Sequence, residues 1–418
     1  MLVSFAVKNF GPFKDEAILT MTAEKGIEHA GNYVETKAAG NVLTSAAIFG
    51  PNASGKTYII DALDVLQRMV LFPALPNTPM LTYIPFRLAN DSKNAPTIMN
   101  IRFIAENILY DYHISFDAEK IITERLVQYP NGKMAVVFKR TLNDFEFGRS
   151  FGTNGQLISK LTPPNTTGVF TAAQFNNEIC LKVHKWFFDE LIIIANPDEK
   201  MLLEMFTERI NRDETLKKRA INAMKIADFA ISDIQGTIKK RKVQDLPGIP
   251  VQTKGLMLAA GNEVMNEIEL FLIHDIEGED LTPEDKKFPI QMESAGTVRF
   301  LALIGPVLDA LTHGKTLVVD EFGSRLHCML TKWIVEMFGD SRQNTGGGQL
   351  IFNTHSTYLM DQDIFRRDQI YLVNKNEIGE SELFSISDFG ERKDKVILAS
   401  YLDGKYGARP FIEEGSKL

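Results

Sequence analysis

The stretch Gly50-Pro51-Asn52-Ala53-Ser54-Gly55-Lys56-Thr57 constrains this chain more than any other, because it meets the pattern G-x-x-x-x-G-K-[ST] at every fixed position. Its flanks agree with it. The apolar run Ala46-Ala47-Ile48-Phe49 reads as a strand entering the turn, and Ile59, Leu63, Leu66 and Val70 recur on one face of a helix leaving it. Strand, glycine turn and helix are the context in which this pattern is a phosphate-binding loop rather than a surface turn. The glycines let successive backbone N–H groups turn inward around an anion, and the helix N-terminus adds the positive end of its dipole. Lys56 is expected to reach the β- and γ-phosphates of a nucleotide, and the Thr57 hydroxyl to bind Mg²⁺. The loop does not say what the bound nucleotide drives, since many unrelated machines share it.

A second feature narrows the class. Thr316-Leu317-Val318-Val319-Asp320-Glu321 is an apolar run ending in two acids. Such a run suits a strand buried on both faces of a parallel sheet, with its acids emerging at the C-terminal edge where ligands sit. Asp320 is then expected to hold Mg²⁺, directly or through water, and Glu321 to orient and deprotonate an attacking water. Asp320 lies 264 residues beyond Lys56, too far for a small GTPase or a simple kinase, so a large insertion must separate the two halves of the site.

The 418 residues, 44% hydrophobic and 24% charged, allow two or three domains. Residues 1–160 are expected to form the N-terminal part of an α/β head with a strand-rich lobe. Leu2 to Met21 reads as two strands, and Asn131-Gly132 is a hairpin turn. Residues 161–285 have helical spacing and many charges, and residues 286–418 return to alternating helix and strand, with a final strand near Ile370 to Val373. The expectation is one α/β head interrupted by a mostly helical insertion. No apolar run of about 18 residues is apparent, no signal peptide is visible, and Cys180 and Cys328 have no CxxC partner. A cytoplasmic protein without a membrane partner is expected. The net charge of −8 gives no support for DNA as a partner. The clusters Lys217-Lys218-Arg219 and Lys239-Lys240-Arg241-Lys242 read as solvated helix faces, with contact to a nucleic-acid phosphate backbone as the alternative.

Two further motifs acquire meaning from their order. Glu293-Ser294-Ala295-Gly296-Thr297 precedes an apolar helix over Phe300 to Leu311 and lies just ahead of the Asp-Glu strand. Taken alone, Ser294 is an ordinary helix cap. Gln349-Leu350-Ile351-Phe352-Asn353-Thr354-His355-Ser356 reads as a strand ending in a histidine, 34 residues after Glu321. The order of phosphate loop, Ser-x-Gly, Asp-Glu strand and histidine resembles the ABC-type P-loop ATPases of the SMC and RecF kind, and Val7-Lys8-Asn9-Phe10-Gly11-Pro12-Phe13 looks like their first strand pair. Pro85-Phe86-Arg87-Leu88, the Glu293 to Thr297 segment, Tyr401-Leu402 and Tyr406-Gly407 are similar to features of the OLD/RecF-like group that includes the RloA, AbiLi and PARIS AriA defence ATPases.

That resemblance implies ATP and Mg²⁺ as ligands, ATP hydrolysis, and a homodimer or higher homo-oligomer formed through the heads. Nucleotide held by Gly50 to Thr57 of one subunit would meet Ser294 and Gly296 of the other. His355 would contact the γ-phosphate, and Phe322 to Leu326 would lie at the interface as a D-loop. Gln128 is a poor candidate for the Q-loop glutamine. Only about 60 residues follow His355, short for a Toprim nuclease domain. Asp388, Glu391 and Asp394 fit a solvated turn better than a metal cluster. The expected function is a regulatory ATPase of an anti-phage system acting on a separately encoded, Toprim-like effector nuclease; a RecF-like DNA-repair clamp is the alternative.

Overall fold

Apolar–polar alternation, interrupted by register shifts, builds the first sheet of the computed structural model. The structure describes residues 1–26, 29–74, 79–80, 82–195, 199–227, 229–245, 254–255, 258, 263–275, 282, 284–360, 363–389 and 396–407. Glu391 and Asp394 lie outside them. The strands of this sheet are β1 (Leu2–Lys8), β2 (Ala17–Thr20), β6 (Thr97–Ala105), β7 (Ile108–Phe116), β8 (Ile121–Tyr129), β9 (Ala135–Thr141) and β10 (Asp144–Phe147). They pair antiparallel in the order β10-β9-β8-β7-β6-β1-β2. Asn131 and Gly132 take the positive φ values of 54° and 73° that the hairpin signal demands. β3 (Tyr33–Thr36) and β4 (Gly40–Leu43) form a separate hairpin.

A second sheet has at its centre three short strands buried along their whole length. Its strands are β5 (Ser45–Phe49), β11 (Leu191–Ile194), β15 (Thr316–Val319), β16 (Gln349–Asn353), β17 (Ile370–Lys375) and β18 (Ser381–Ser385), in the order β11-β15-β16-β5-β17-β18. All neighbours are parallel except β18, which returns antiparallel along β17. The chain therefore has one strand more than the Ile370 to Val373 run suggested. The strand that enters the phosphate loop, β5, and the strand that carries the two acids, β15, are separated by β16. Gln349 at the foot of β16 donates to the carbonyls of Leu2 and Leu43 and accepts from the Leu2 N–H, which ties the first strand to this sheet. Helix α1 (Lys56–Leu71) shares one apolar cluster with both sheets, through Ile59, Leu63 and Leu66 on its side and Phe5, Val7, Ile48 and Val318 on theirs.

The chain forms two compact units: Met1–Asn196 with Ala310–Ser324 and Thr331–Leu418, and Pro197–Asp309 with Arg325–Leu330. The second unit differs from the expected insertion at 161–285. Residues 161–195 belong to the first unit: β11 pairs with β15, Trp186 and Phe187 lie in its apolar cluster, and a buried polar clamp holds residues 163–169. Arg140 on β9 donates to the carbonyls of Pro163, Pro164 and Thr166, while Glu124 on β8 accepts from the Tyr112 hydroxyl and the Gly168 and Val169 N–H groups. A change of composition at Pro163-Pro164 thus marks a change of secondary structure within one unit.

In the second unit, helices over Glu199–Ile210 and Glu214–Ile226 pack on a three-stranded sheet of β12 (Ile231–Lys242), β13 (Val264–His274) and β14 (Lys287–Pro289). The unit is therefore less helical than expected. Lys217 to Arg219 do lie on a helix, but Lys239 to Lys242 lie on β12. There Lys239 and Arg241 are paired across the ladder with Glu269 and Glu267. Four consecutive cations carry neither a period of two nor one of 3.6, so the run itself does not tell strand from helix, which is why the sequence misleads here. The helix Ala295–His313 is long and apolar enough by composition to cross a membrane, contrary to the expectation that no such segment exists. Its Phe300, Leu301, Leu303, Ile304, Val307 and Leu311 are completely buried in the protein, as in a core helix.

Candidate functional site

The loop after β5 is shaped by three positive φ values: Gly50 at 151°, Ala53 at 60° and Gly55 at 108°. Two of these positions exclude side chains outright. A Cβ on Gly50 would fall 2.4 Å from the Val373 carbonyl oxygen, and one on Gly55 would fall 2.7 Å from Cγ of Pro12. Pro51, Asn52 and Ala53 form the open lip of the turn. Ser54 is buried; its carbonyl accepts from the Ser381 hydroxyl at 2.5 Å, and its own Oγ has no hydrogen-bond partner among the described residues. No side chain caps the N-terminus of α1, so that end keeps its positive field open toward the loop.

Lys56 is buried and folds back onto its own loop, donating to the carbonyls of Gly50 at 2.9 Å and Pro51 at 2.8 Å. Burial lowers its pKa to about 8, against the opposing pull of Asp320 and Glu321. Thr57, on the next residue of α1, donates to Asp320 Oδ1 at 3.1 Å. Phosphate loop and acid strand therefore meet directly across the edge of the parallel sheet. Asp320 is itself buried, and desolvation moves its pKa upward against the hydrogen bonds from Asn353 and Thr57.

Glu321 follows Asp320 with a φ of 49°, an uncommon left-handed conformation for a residue with a side chain. It is exposed, so its carboxylate is accessible beside the loop. His355 is also exposed at the end of the neighbouring strand; desolvation by its surroundings, then the charge of Lys56, hold its pKa below the usual imidazole value. The ring is therefore mainly neutral at pH 7. Sequence reasoning missed two residues here. Asn353, the last residue of β16, contacts Asp320, Glu321 and Phe322. Asp61, one turn along α1 from Thr57, has its pKa raised to about 6 by burial and then by Asp320. The i, i+4 spacing from Thr57 was a legible signal for Asp61; nothing local distinguished Asn353.

The donor set fits a nucleotide and its metal ion. A cradle that Cβ atoms would fill, an orphaned buried hydroxyl, an ammonium satisfied only by loop carbonyls, and a hydroxyl–carboxylate pair are what Mg²⁺-triphosphate requires. Thr57 and Asp320 are the residues that would hold the ion.

Ser294 and Gly296 belong to the second unit and are described within it. The Ser294 hydroxyl accepts from the Thr297 N–H at 3.1 Å and lies 2.8 Å from the Thr297 hydroxyl, which is the geometry of an N-cap. Gly296 admits the backbone of Arg325, since a Cβ there would lie 3.2 Å from the Arg325 carbonyl oxygen. Arg325 has a φ of 64° and reaches Glu199 at 3.2 Å, and Glu293 pairs with His274 at 2.8 Å. Of the segment 322–326, residues through Ser324 belong to the first unit and Arg325 and Leu326 to the second. Gln128 is a buried residue of the antiparallel sheet, paired with Tyr110 and Ala135.

The family model described as "AAA domain, putative AbiEii toxin, Type IV TA system" matches residues 45–361, about three quarters of the chain. No curated protein matches. Among solved structures the chain is similar to the SMC head domain from Thermotoga maritima, at 13% identity over 92% of this chain and 98% of that one, with a TM-score of 0.40. It is similar also to an SMC head bound to the C-terminal winged-helix domain of ScpA, at 13% identity, 92% and 97% coverage and a TM-score of 0.43. An SMC head with an extended coiled coil, bound to the C-terminal domain of ScpA derived from Pyrococcus furiosus, matches at 12% identity, 92% and 96% coverage and a TM-score of 0.38.

Proposed function

The chain belongs to the AAA-domain family whose model covers residues 45–361, and from this premise of a P-loop ATPase with an ABC-type head we propose how its residues act and what the ATPase serves. The observation that carries the proposal is the direct hydrogen bond between Thr57 of the phosphate loop and Asp320 of the acid strand. Gly50 to Thr57 wrap the triphosphate of ATP with backbone N–H groups, and Lys56 leaves its loop carbonyls for the β- and γ-phosphates. Thr57 and Asp320 hold Mg²⁺, which when bound offsets negative charge on the phosphates. Glu321 accepts a proton from the attacking water, whose oxygen forms the new bond to the γ-phosphorus as the bond to the β-bridging oxygen breaks. His355, neutral and beside Lys56, donates to the γ-phosphate. ADP and phosphate leave.

The site is completed by a second copy of the chain, whose Ser294 and Gly296 meet the nucleotide when two heads close around it, with Phe322 to Leu326 at the junction. This homodimer, or a higher homo-oligomer built from it, acts in bacterial anti-phage defence as the ATP-dependent regulator of a separate effector, a Toprim-like nuclease. Two things support that reading: the OLD/RecF-like motifs in the sequence, and a family description that names a toxin of a toxin–antitoxin system. A RecF-like clamp on DNA gains nothing from the Lys239 to Lys242 cluster, half of which is neutralised by Glu267 and Glu269.

The test is capture with tagged Glu321→Gln protein, ATP and Mg²⁺, with bound protein and nucleic acid read together. A stoichiometric nuclease-like partner with little DNA is expected. Abundant DNA and no partner protein would replace the defence reading with the clamp.

A further inference from the structure

The acid strand does not hold Glu321 in place by itself. Glu321 sits at φ 49°, where a residue with a Cβ is disfavoured unless its surroundings enforce it. Two contacts hold the turn: the Ser324 N–H donates to the Glu321 carbonyl at 3.0 Å, and one buried side chain on the neighbouring strand bonds both Asp320 and Glu321. Asn353 is 1% exposed, and its carboxamide is used at both ends: Nδ2 donates to Asp320 Oδ1, and Oδ1 accepts from the Glu321 N–H at 2.7 Å. Its main-chain carbonyl accepts from the Phe322 N–H at 3.0 Å. Three consecutive residues of the acid segment are thus fixed by a single residue of β16. The residue after Asn353 is tied to the phosphate-loop strand, since the Thr354 N–H donates to the Ile48 carbonyl at 3.1 Å, and His355 comes next.

We infer that Asn353 is a positioning residue for hydrolysis, which holds Glu321 in its left-handed conformation and so aims the carboxylate that takes the proton from water. The inference rests on the assignment of Glu321 as general base. The carboxamide is suited to this because it offers a donor and an acceptor 120° apart on one plane, so it bridges a carboxylate and an N–H that face it together. Apolar residues could pack in its place but would leave the Glu321 N–H and a lone pair of Asp320 unsatisfied, and the left-handed turn would relax. Because Asn353 and His355 share a strand end, the same residue couples the group facing the γ-phosphate to the group facing the water.

The experiment compares Asn353→Ala, Glu321→Gln and the double variant in full-length protein, reading kcat, ATP affinity without Mg²⁺, and melting temperature. Asn353→Ala is expected to lower kcat by about 100-fold, the scale of a lost general base. Its Mg²⁺-free ATP affinity should stay within about threefold of wild type, since the residue acts on the acid strand and not on the loop. The double variant should be no slower than Glu321→Gln alone, because Asn353 acts through Glu321. A merely structural residue would slow the Glu321→Gln background by its full factor again, and that result overturns the inference, as does a kcat within twofold of wild type for Asn353→Ala. Should Asn353→Ala fail to fold, Asn353→Ser, too short to bridge both partners, is read against the same outcomes. A normal rate in Glu321→Gln would instead remove the general-base assignment itself.

Discussion

The loop-and-acid region of the first unit and the Ser294 region of the second differ in how their functional groups are held. In the first, Lys56, Thr57, Asp320 and Asn353 are buried or half-buried: Asp320 accepts from Thr57 on the helix and from Asn353 on the neighbouring strand, and Lys56 donates to the loop carbonyls of Gly50 and Pro51. In the second, Ser294 is exposed and, among the described residues, its hydroxyl bonds only within its own helix turn, to Thr297. The first region is held by bonds among its own residues. The second presents a capped helix end whose hydroxyl is accessible from outside. A region wired this way suits chemistry, where a misplacement of an ångström is costly. A locally capped, exposed end suits recognition of something brought to it.

Substitutions can break this contrast. The largest effect belongs to Lys56→Ala, which removes the only ammonium inside the loop. ATP binding should become undetectable by calorimetry, and binding retained within tenfold would mean that the loop amides suffice. Next is Glu321→Gln, which should keep nucleotide affinity while slowing steady-state hydrolysis by about 100-fold or more. Unchanged turnover would show that the wired region holds a different base.

The pH dependence comes third. Burial lowers the Lys56 pKa to about 8, and phosphate charge favours its ammonium form, so ATP binding above that pH must take up a proton. Affinity is expected to fall as pH rises past about 8, by at most about tenfold per pH unit. The stability of the nucleotide-free protein has the opposite sign. Between about 8 and the ordinary lysine value the unfolded chain binds more protons at this site, so unfolding becomes harder as pH rises through that window. Isothermal titration at pH 7.5 and 9 in buffers of different ionisation heat measures the uptake; none at pH 9 would contradict a lysine titrating near 8.

The smallest effects belong to Ser294. Ser294→Ala removes the N-cap and should cost about 1 kcal/mol of stability, read as a shift in the denaturation midpoint. Ser294→Arg should leave ATP affinity within about threefold while the Glu321→Gln background no longer forms a nucleotide-dependent dimer by light scattering. A dimer of normal mass would dissociate Ser294 from closure and leave it only its cap.

Much of the first region was legible because its constraints are local. Gly50 to Thr57 must be one continuous turn, and an apolar strand ending in Asp320-Glu321 announces the edge of a buried sheet. Ser294 as a cap was legible for the same reason, since an N-cap is a relation between residues three apart. Asn353 was not legible, because its partners lie 33 and 32 residues away and only the adjacency of β15 and β16 brings them together. The hairpin of β12 and β13 escaped notice because its strands are long, charged and paired across a wide gap in sequence, so no turn signal linked them. The extent of the second unit was hidden for a related reason. Residues 161–195 join the first unit through partners distant in sequence, Arg140 and Glu124 upstream and β15 downstream.

The sequence by itself determined the phosphate loop, its strand and helix, the acid strand, the histidine strand and their order, since each is written in residues a few positions apart. Tertiary structure alone decided that β16 lies between β5 and β15, that Thr57 reaches Asp320, and that Glu321 adopts a left-handed turn held by Asn353. These are relations between strand ends distant in the chain. They are selected by burying whole apolar strands side by side, a free energy that depends on area and packing and leaves no mark at any single position.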